Sequence, residues 1–344
     1  VTGITNSIDT TKNKSFTYDA LDRLSTATAS GLWGSLGWTY DGVGNRLTEG
    51  MNSYTYAPST NRLTGANGIS FGFDNNGNTI TEGARQYIYN QNQRLIQVND
   101  GAKTANYIYN GDGQRVKKNV NGTTTIFHYD IAGLLIAESN SSGTVIAEYV
   151  YLNTQLLAKI EGINVYYYHA DHLGTPQKMT DSTGAVVWSA DYKPFGEAAI
   201  TVSTITNNLR FPGQYYDIET GLNYNYFRDY NPVIGRYVQA DRIGLSGGIN
   251  VYRYTGNNPI KRIDPNGLRE ICMPWFSAKT AWDYHPLETE WLPDGDGYAV
   301  IIEGLSGGCY WKKVEKGYRV RTITERQLCF DTCDKKRGLY FKNG

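Results

Sequence analysis

The chain has 344 residues, with 33 lysines and arginines against 33 aspartates and glutamates, 38 glycines and 28 tyrosines. A net charge of zero excludes a strongly basic nucleic-acid or membrane-surface footprint, the lack of any apolar run of 18 or more residues excludes a transmembrane helix, and 13% aromatic content is too rich for a solvated, disordered chain. All four cysteines (Cys272, Cys309, Cys329, Cys333) follow residue 268, whereas 23 of the 28 tyrosines precede it, so composition places a domain boundary there.

The chain opens on Val1 rather than an initiator methionine. Val-Thr-Gly-Ile-Thr-Asn has no basic segment before an apolar one, so no signal peptide is expected and the chain reads as the C-terminal part of a longer one.

A self-similar unit then repeats. Phe16-Thr-Tyr18-Asp19 leads to Arg23-Leu24, Trp38-Thr-Tyr40-Asp41 to Arg46-Leu47, and Tyr54-Thr-Tyr56 to Arg62-Leu63. Phe71-Gly-Phe73-Asp74, Tyr87-Ile-Tyr89-Asn90, Tyr107-Ile-Tyr109-Asn110, Phe127-His-Tyr129-Asp130 and Tyr149-Val-Tyr151 continue it, spaced 16 to 22 residues apart. Aromatic-x-aromatic puts two rings on one face of a strand. The following Asp or Asn and nearby Gly suit a turn with positive φ. Each unit therefore reads as one β-hairpin, and because a lone hairpin is marginal in water, the hairpins are expected to pair edge to edge. A propeller with two units per blade is the rival arrangement.

The Tyr-Asp pairs at Tyr18-Asp19, Tyr40-Asp41 and Tyr129-Asp130 resemble the Rhs/YD-repeat family. The stretch from Tyr166 to Gly196, and residues 207–268 ending in Asp-Pro-Asn-Gly-Leu (Asp264–Leu268), are similar to that family's core segment. The resemblance implies a mainly β protein. Hairpins of residues 1–165 form a spiralling, shell-like sheet, 166–268 form the core, and 269–344 form a variable, toxin-like domain of α+β or mostly β type. It also implies a secreted or cell-surface bacterial protein delivered by a secretion system. Its partners would be upstream shell repeats, secretion machinery and a cognate immunity protein. The alternative is a surface protein whose repeats bind carbohydrate and whose tail is inert. About 20 strands at about 4.8 Å each make one turn too narrow to hold the tail as a folded domain.

The family assigns self-cleavage between Leu268 and Arg269 to Asp241 and Asp264, supported by Arg236. Two neighbouring carboxylates do not ionise together, which suits polarising a carbonyl and activating water, and Arg236 could hold one as its anion. Family members often carry Pro after the first Asp, where Arg242 stands here. Taken alone, both aspartates read as turn residues.

His169 and His172 flank Asp171 at a spacing open to a metal, yet fixing a loop is the plainer role, and neither a metal nor a cofactor is expected. His128 reads as a strand position.

In the tail, Tyr298–Ile302 and Tyr318–Ile323 read as strands, and Thr324–Cys333 as a short helix capped by Thr324. The four cysteines leave disulfides, free thiols and zinc open. Asp283, His285, Glu288 and Glu290 could supply acid, base or metal ligands. Lys312, Lys313, Lys316, Arg319 and Arg321 could meet phosphate. None is specific enough to name an activity.

Overall fold

The computed structural model describes residues 1–272, 298–306, 309–316 and 324–329. The chain divides into two compact units, Val1–Glu270 and Ile271–Gly344. Among the described residues there is no α-helix, only three short 3-10 turns.

The first unit is dominated by one 21-stranded antiparallel sheet. Every strand from Gly3–Ile4 to Ala198–Ser203 pairs with its neighbours in sequence, so the sheet is a continuous meander. The hairpin ribbon thus runs on well past residue 165. It is open: among the described residues, no strand pairing joins its two ends. They meet through side chains instead, with the Lys12 ammonium 3.2 Å from an Asp191 carboxylate oxygen.

The repeat explains how each hairpin is built. Phe16, Trp38, Tyr54, Tyr87, Tyr107 and Phe127, the first ring of each unit, are buried, while the residue between the rings faces outward, as strand alternation requires. Burying one such ring is worth about 1.5–3 kcal/mol. The aspartate that follows closes the turn. Asp19 Oδ1 accepts the amides of Leu21 and Arg23, and Asp41 and Asp130 do the same two and four residues ahead. The second ring ties one hairpin to the one before it. The Tyr40 hydroxyl donates to the Leu24 carbonyl at 2.8 Å, Tyr56 to Arg46 at 2.8 Å, Tyr89 to Thr79 at 2.9 Å, Tyr109 to Leu95 at 2.7 Å and Tyr129 to Arg115 at 3.0 Å. Each acceptor is the residue at which the preceding hairpin's register slips.

After Ser203 the chain leaves the ribbon and forms a plug. A four-stranded sheet, Tyr215–Asp217, Leu222–Asn225, Arg228–Asn231 and Arg236–Tyr237, packs around Phe211, Tyr230, Tyr237 and Tyr254. The ribbon's aspartate turns sit on this plug, and their free carbonyls take its side-chain donors. Asn258 donates to Asp22, Asn257 to Gly44, Tyr252 to Gly77 and Tyr226 to Asp112, at 2.7–3.0 Å. A buried ion network adds to this. Arg115 makes a two-pronged bond to Asp217 at 2.5 and 3.0 Å, amid the rings of Tyr107, Phe127, Tyr215 and Tyr224. Lys118 joins Asp217 at 3.0 Å to Glu219 at 3.2 Å.

In the second unit, Tyr298–Ser306, Cys309–Lys316 and Thr324–Cys329 form a three-stranded antiparallel sheet. The strand expected over Tyr298–Ile302 is present. The helix expected from Thr324 is not. Its first six residues pair with Cys309–Val314, Cys309 opposite Cys329, because cross-strand pairing overrides a weak local preference. Tyr318–Ile323, Cys333, Asp283, His285, Glu288 and Glu290 lie outside the described residues.

Removing one partner of a buried ion pair strands the other. Asp217→Ala is expected to destabilise the first unit by about 3–5 kcal/mol. Lys12→Ala, at the half-buried pair between the ribbon ends, is expected to cost about 1 kcal/mol or less. Denaturant unfolding of the two variants measures the contrast, and equal losses would contradict it.

Candidate active site

The boundary segment Asp264–Leu268 is threaded against the plug hairpin that joins Leu222–Asn225 to Arg228–Asn231. The Asn225 amide donates to the Asp264 carbonyl at 2.8 Å, and the Phe227 N–H to the Asn266 carbonyl at 3.1 Å. Gly267 has φ +71°, and a Cβ there would fall 2.5 Å from the Asn225 carbonyl oxygen. Only glycine permits this approach.

Arg228 organises what lies around it. One terminal nitrogen is 3.0 Å from Asp241 Oδ2 and 3.2 Å from Asp264 Oδ2. Its Nε donates to the Gly267 carbonyl at 2.6 Å and its other terminal nitrogen to Val251 at 3.2 Å. The guanidinium lies 3.6 Å from the centre of the Tyr237 ring. Both carboxylates are buried. Asp264 also accepts from the Tyr237 hydroxyl at 2.8 Å and from the Leu268 amide at 3.0 Å. Asp241 accepts from the Ile243 amide at 3.0 Å. Burial lifts both aspartates above the ordinary carboxylate range, and Arg228 pulls each part of the way back.

The Leu268 carbonyl faces the same space. A Cβ at Gly247 would lie 2.5 Å from Asp241 Oδ2 and 3.2 Å from the Leu268 oxygen. The bare glycine leaves the carboxylate and that carbonyl open to each other.

Asp241, Asp264 and Leu268 are therefore brought together, 23 and 4 residues apart in the chain. Arg236 is not with them. Its guanidinium donates to the Asn61 carbonyl at 2.5 Å and sits over the rings of Tyr56 and Tyr252, fastening plug to ribbon. The cation on the aspartates is Arg228, which sequence reasoning missed together with Tyr237 and Gly247. Their spacing carries no signal, since only the hairpin brings them to the boundary. Arg242 is exposed and lies over the Phe227 ring. Arg269 is exposed, and its charge also lowers Asp241.

The histidines sit elsewhere. His169 bonds Thr180, His172 bonds the Ile260 carbonyl, and His128 bonds Ser139. Asp171 closes a turn through the amides of Leu173 and Thr175. Among the described residues no cluster of three or more potential metal ligands occurs.

Asp229, beside Arg228 in sequence, is buried against Gln239. Burial pushes it up to about 6. Its folded value exceeds the unfolded one of about 3.9, so the stability it contributes at low pH is lost as pH rises through about 6. Asp229→Asn is expected to raise the thermal midpoint at pH 8 and barely change it at pH 4. An equal effect at both would count against this.

The family profile of the teneurin YD-shell matches residues 1–260. The chain is 43% identical over 109 residues to double-stranded DNA deaminase toxin A of Burkholderia cenocepacia, covering 30% of this chain and 8% of that protein. It is 38% identical over 132 residues to toxin protein Tse5 of Pseudomonas aeruginosa, covering 38% and 10%. It is 33% identical over 249 residues to tRNA nuclease WapA of Bacillus subtilis, covering 67% and 11%. It thus spans about a tenth of each. Among solved structures, the Photorhabdus luminescens Tc holotoxin pore superposes with a TM-score of 0.61 at 22% identity, covering 78% of this chain and 16% of that one. This likeness concerns the fold. No helix among the described residues is long and apolar enough to cross a membrane.

Proposed function

The chain belongs to the teneurin YD-shell family, and from that premise we propose that it is part of a bacterial toxin shell that cuts itself after Leu268 and carries residues 269–344 as its effector. The observation that supports cleavage most is the pair of buried aspartates bridged by Arg228 beside the Leu268 carbonyl. Toxins among the relatives support the effector reading.

The step is hydrolysis. Of two coupled carboxyls in one dry site, one holds a proton and the other is an anion. Asp264, with three donors on it, suits the anion; Asp241, whose carboxylate borders the space at Gly247 together with the Leu268 carbonyl, suits the acid. The anion takes a proton from water as the water oxygen bonds to the Leu268 carbonyl carbon, and the acid polarises the carbonyl oxygen. The intermediate then breaks its bond to the Arg269 nitrogen, which takes the proton that Asp264 received from water and leaves as an amine, while Leu268 becomes a carboxylate and Asp264 an anion again.

In this reading, delivery uses a secretion machinery and further shell repeats, and a cognate immunity protein guards the producing cell. Purified protein is expected to run on a denaturing gel as two pieces, the smaller beginning at Arg269 by N-terminal sequencing. Asp241→Asn or Asp264→Asn should leave one band. An intact wild-type chain after long incubation would remove the protease reading. Growth arrest by the full chain, but not by a chain ending at Leu268, tests the effector separately.

A further inference from the structure

Arg228 is aimed by a tight turn that does not hold itself. Asn225 and Arg228 are paired across the hairpin, and Tyr226, inside the turn, has φ +51°. A bulky side chain is disfavoured in that left-handed region, where hairpin turns normally place Gly or Asn. The ribbon supplies what the turn lacks. Arg94, buried and 132 residues earlier in the chain, donates from one terminal nitrogen to the Tyr226 carbonyl at 2.6 Å. Its other terminal nitrogen donates to the Gly113 carbonyl, in the next turn, which Asn110 closes, at 2.5 Å. The guanidinium lies 4.5 Å from the centre of the Phe227 ring. From the far side, the Tyr226 hydroxyl reaches the Asp112 carbonyl at 3.0 Å.

Arg23, at the same position of an earlier repeat, does not reach this turn of the plug. Arg23 likewise donates to the next turn, at Asp41, and lies over the next tyrosine, Tyr40. Its other hydrogen bond goes to Asp19, within its own turn.

We infer that Arg94 is a positioning residue for cleavage after Leu268, so that the site is complete only once the ribbon has wrapped the plug as far as the Arg94 and Asp112 turns. This rests on the self-cleavage reading. Arg94 touches none of the reacting atoms. It fixes the Tyr226 carbonyl and the Phe227 ring, and these set where Arg228 meets Asp241, Asp264 and the Gly267 carbonyl. A displacement of about 1 Å at such a group can cost about a hundredfold in rate. The consequence is an ordered process in which an unwrapped chain keeps its tail attached.

The test follows the cleaved band over time as the full chain is made by cell-free translation. Arg94→Lys, which keeps the charge and loses the fork, is expected to slow cleavage by roughly tenfold to a hundredfold. Arg23→Lys should keep the wild-type rate. Adding Tyr226→Gly to Arg94→Lys should restore much of the loss, because glycine holds the positive φ unaided, which a general loss of stability would not allow. A second arm uses the uncleavable Asp241→Asn chain. There, Arg94→Lys should speed amide exchange at 264–268 and leave the ribbon strands protected. Wild-type cleavage by Arg94→Lys, equal slowing by Arg23→Lys, or no rescue by Tyr226→Gly overturns the inference. Should the wild-type chain not cleave at all, the self-cleavage reading fails, and the exchange arm shows separately whether Arg94 holds the boundary segment.

Discussion

Backbone carbonyls in the aspartate turns have no strand partner, and the wrapped ribbon places several of them against the plug, where water cannot serve them. Each must find a donor or cost a few kcal/mol. This constraint gives the plug its character. Its strands are buried on both faces, yet rich in Asn, Tyr and Arg, and it meets the ribbon through Asn257, Asn258, Tyr252 and Tyr226 bonded to turn carbonyls. A purely apolar plug would leave those oxygens unpaired. The polar contacts also fix register, because each donor reaches one turn.

The candidate site follows from the same arrangement. A boundary segment that simply left the plug would put Asp264 in solvent as a turn residue. Here the Asn225 amide, the Phe227 N–H and Arg228 grip its carbonyls in succession. That grip buries Asp264 next to Asp241 and leaves the two sharing one guanidinium. Burial lifts both aspartates, and the single cation they share pulls each only part of the way back. Asp217 shows the opposite balance. Two cations, Arg115 and Lys118, serve it, and although burial opposes its ionisation, they hold it below the ordinary range. The first arrangement suits proton transfer and the second suits a structural lock.

Much of the ribbon could be read directly. The ring-x-ring pattern recurs along the ribbon, followed in most units by Asp or Asn, and the aspartates are the turn closers that their spacing implies. The tyrosine hydroxyls were a different matter. Their role as rungs between successive hairpins depends on which carbonyl lies at each register slip, and a sequence does not display register. At the site, Asp241, Asp264 and Leu268 could be named in advance only through a family resemblance, since each alone is an ordinary turn or boundary residue. Arg236 lies only five residues before Asp241, and proximity along the chain misleads, because its strand directs it to Asn61 on the ribbon. Thr324 misled in another way, its capping preference yielding to pairing with Cys309–Val314.

What the amino-acid order determined by itself was local and periodic: strands from ring alternation, turns from Asp, Asn and Gly, and a change of character at residue 268. These features act over a few residues and repeat, so they survive without knowledge of the fold. What only the tertiary structure decided was which cation meets which carboxylate, and that Arg94 on the ribbon caps a turn of the plug. Such contacts join residues from 13 to more than a hundred positions apart, and they exist because burial forces every stranded charge and carbonyl to find whatever partner the wrapped chain brings within reach.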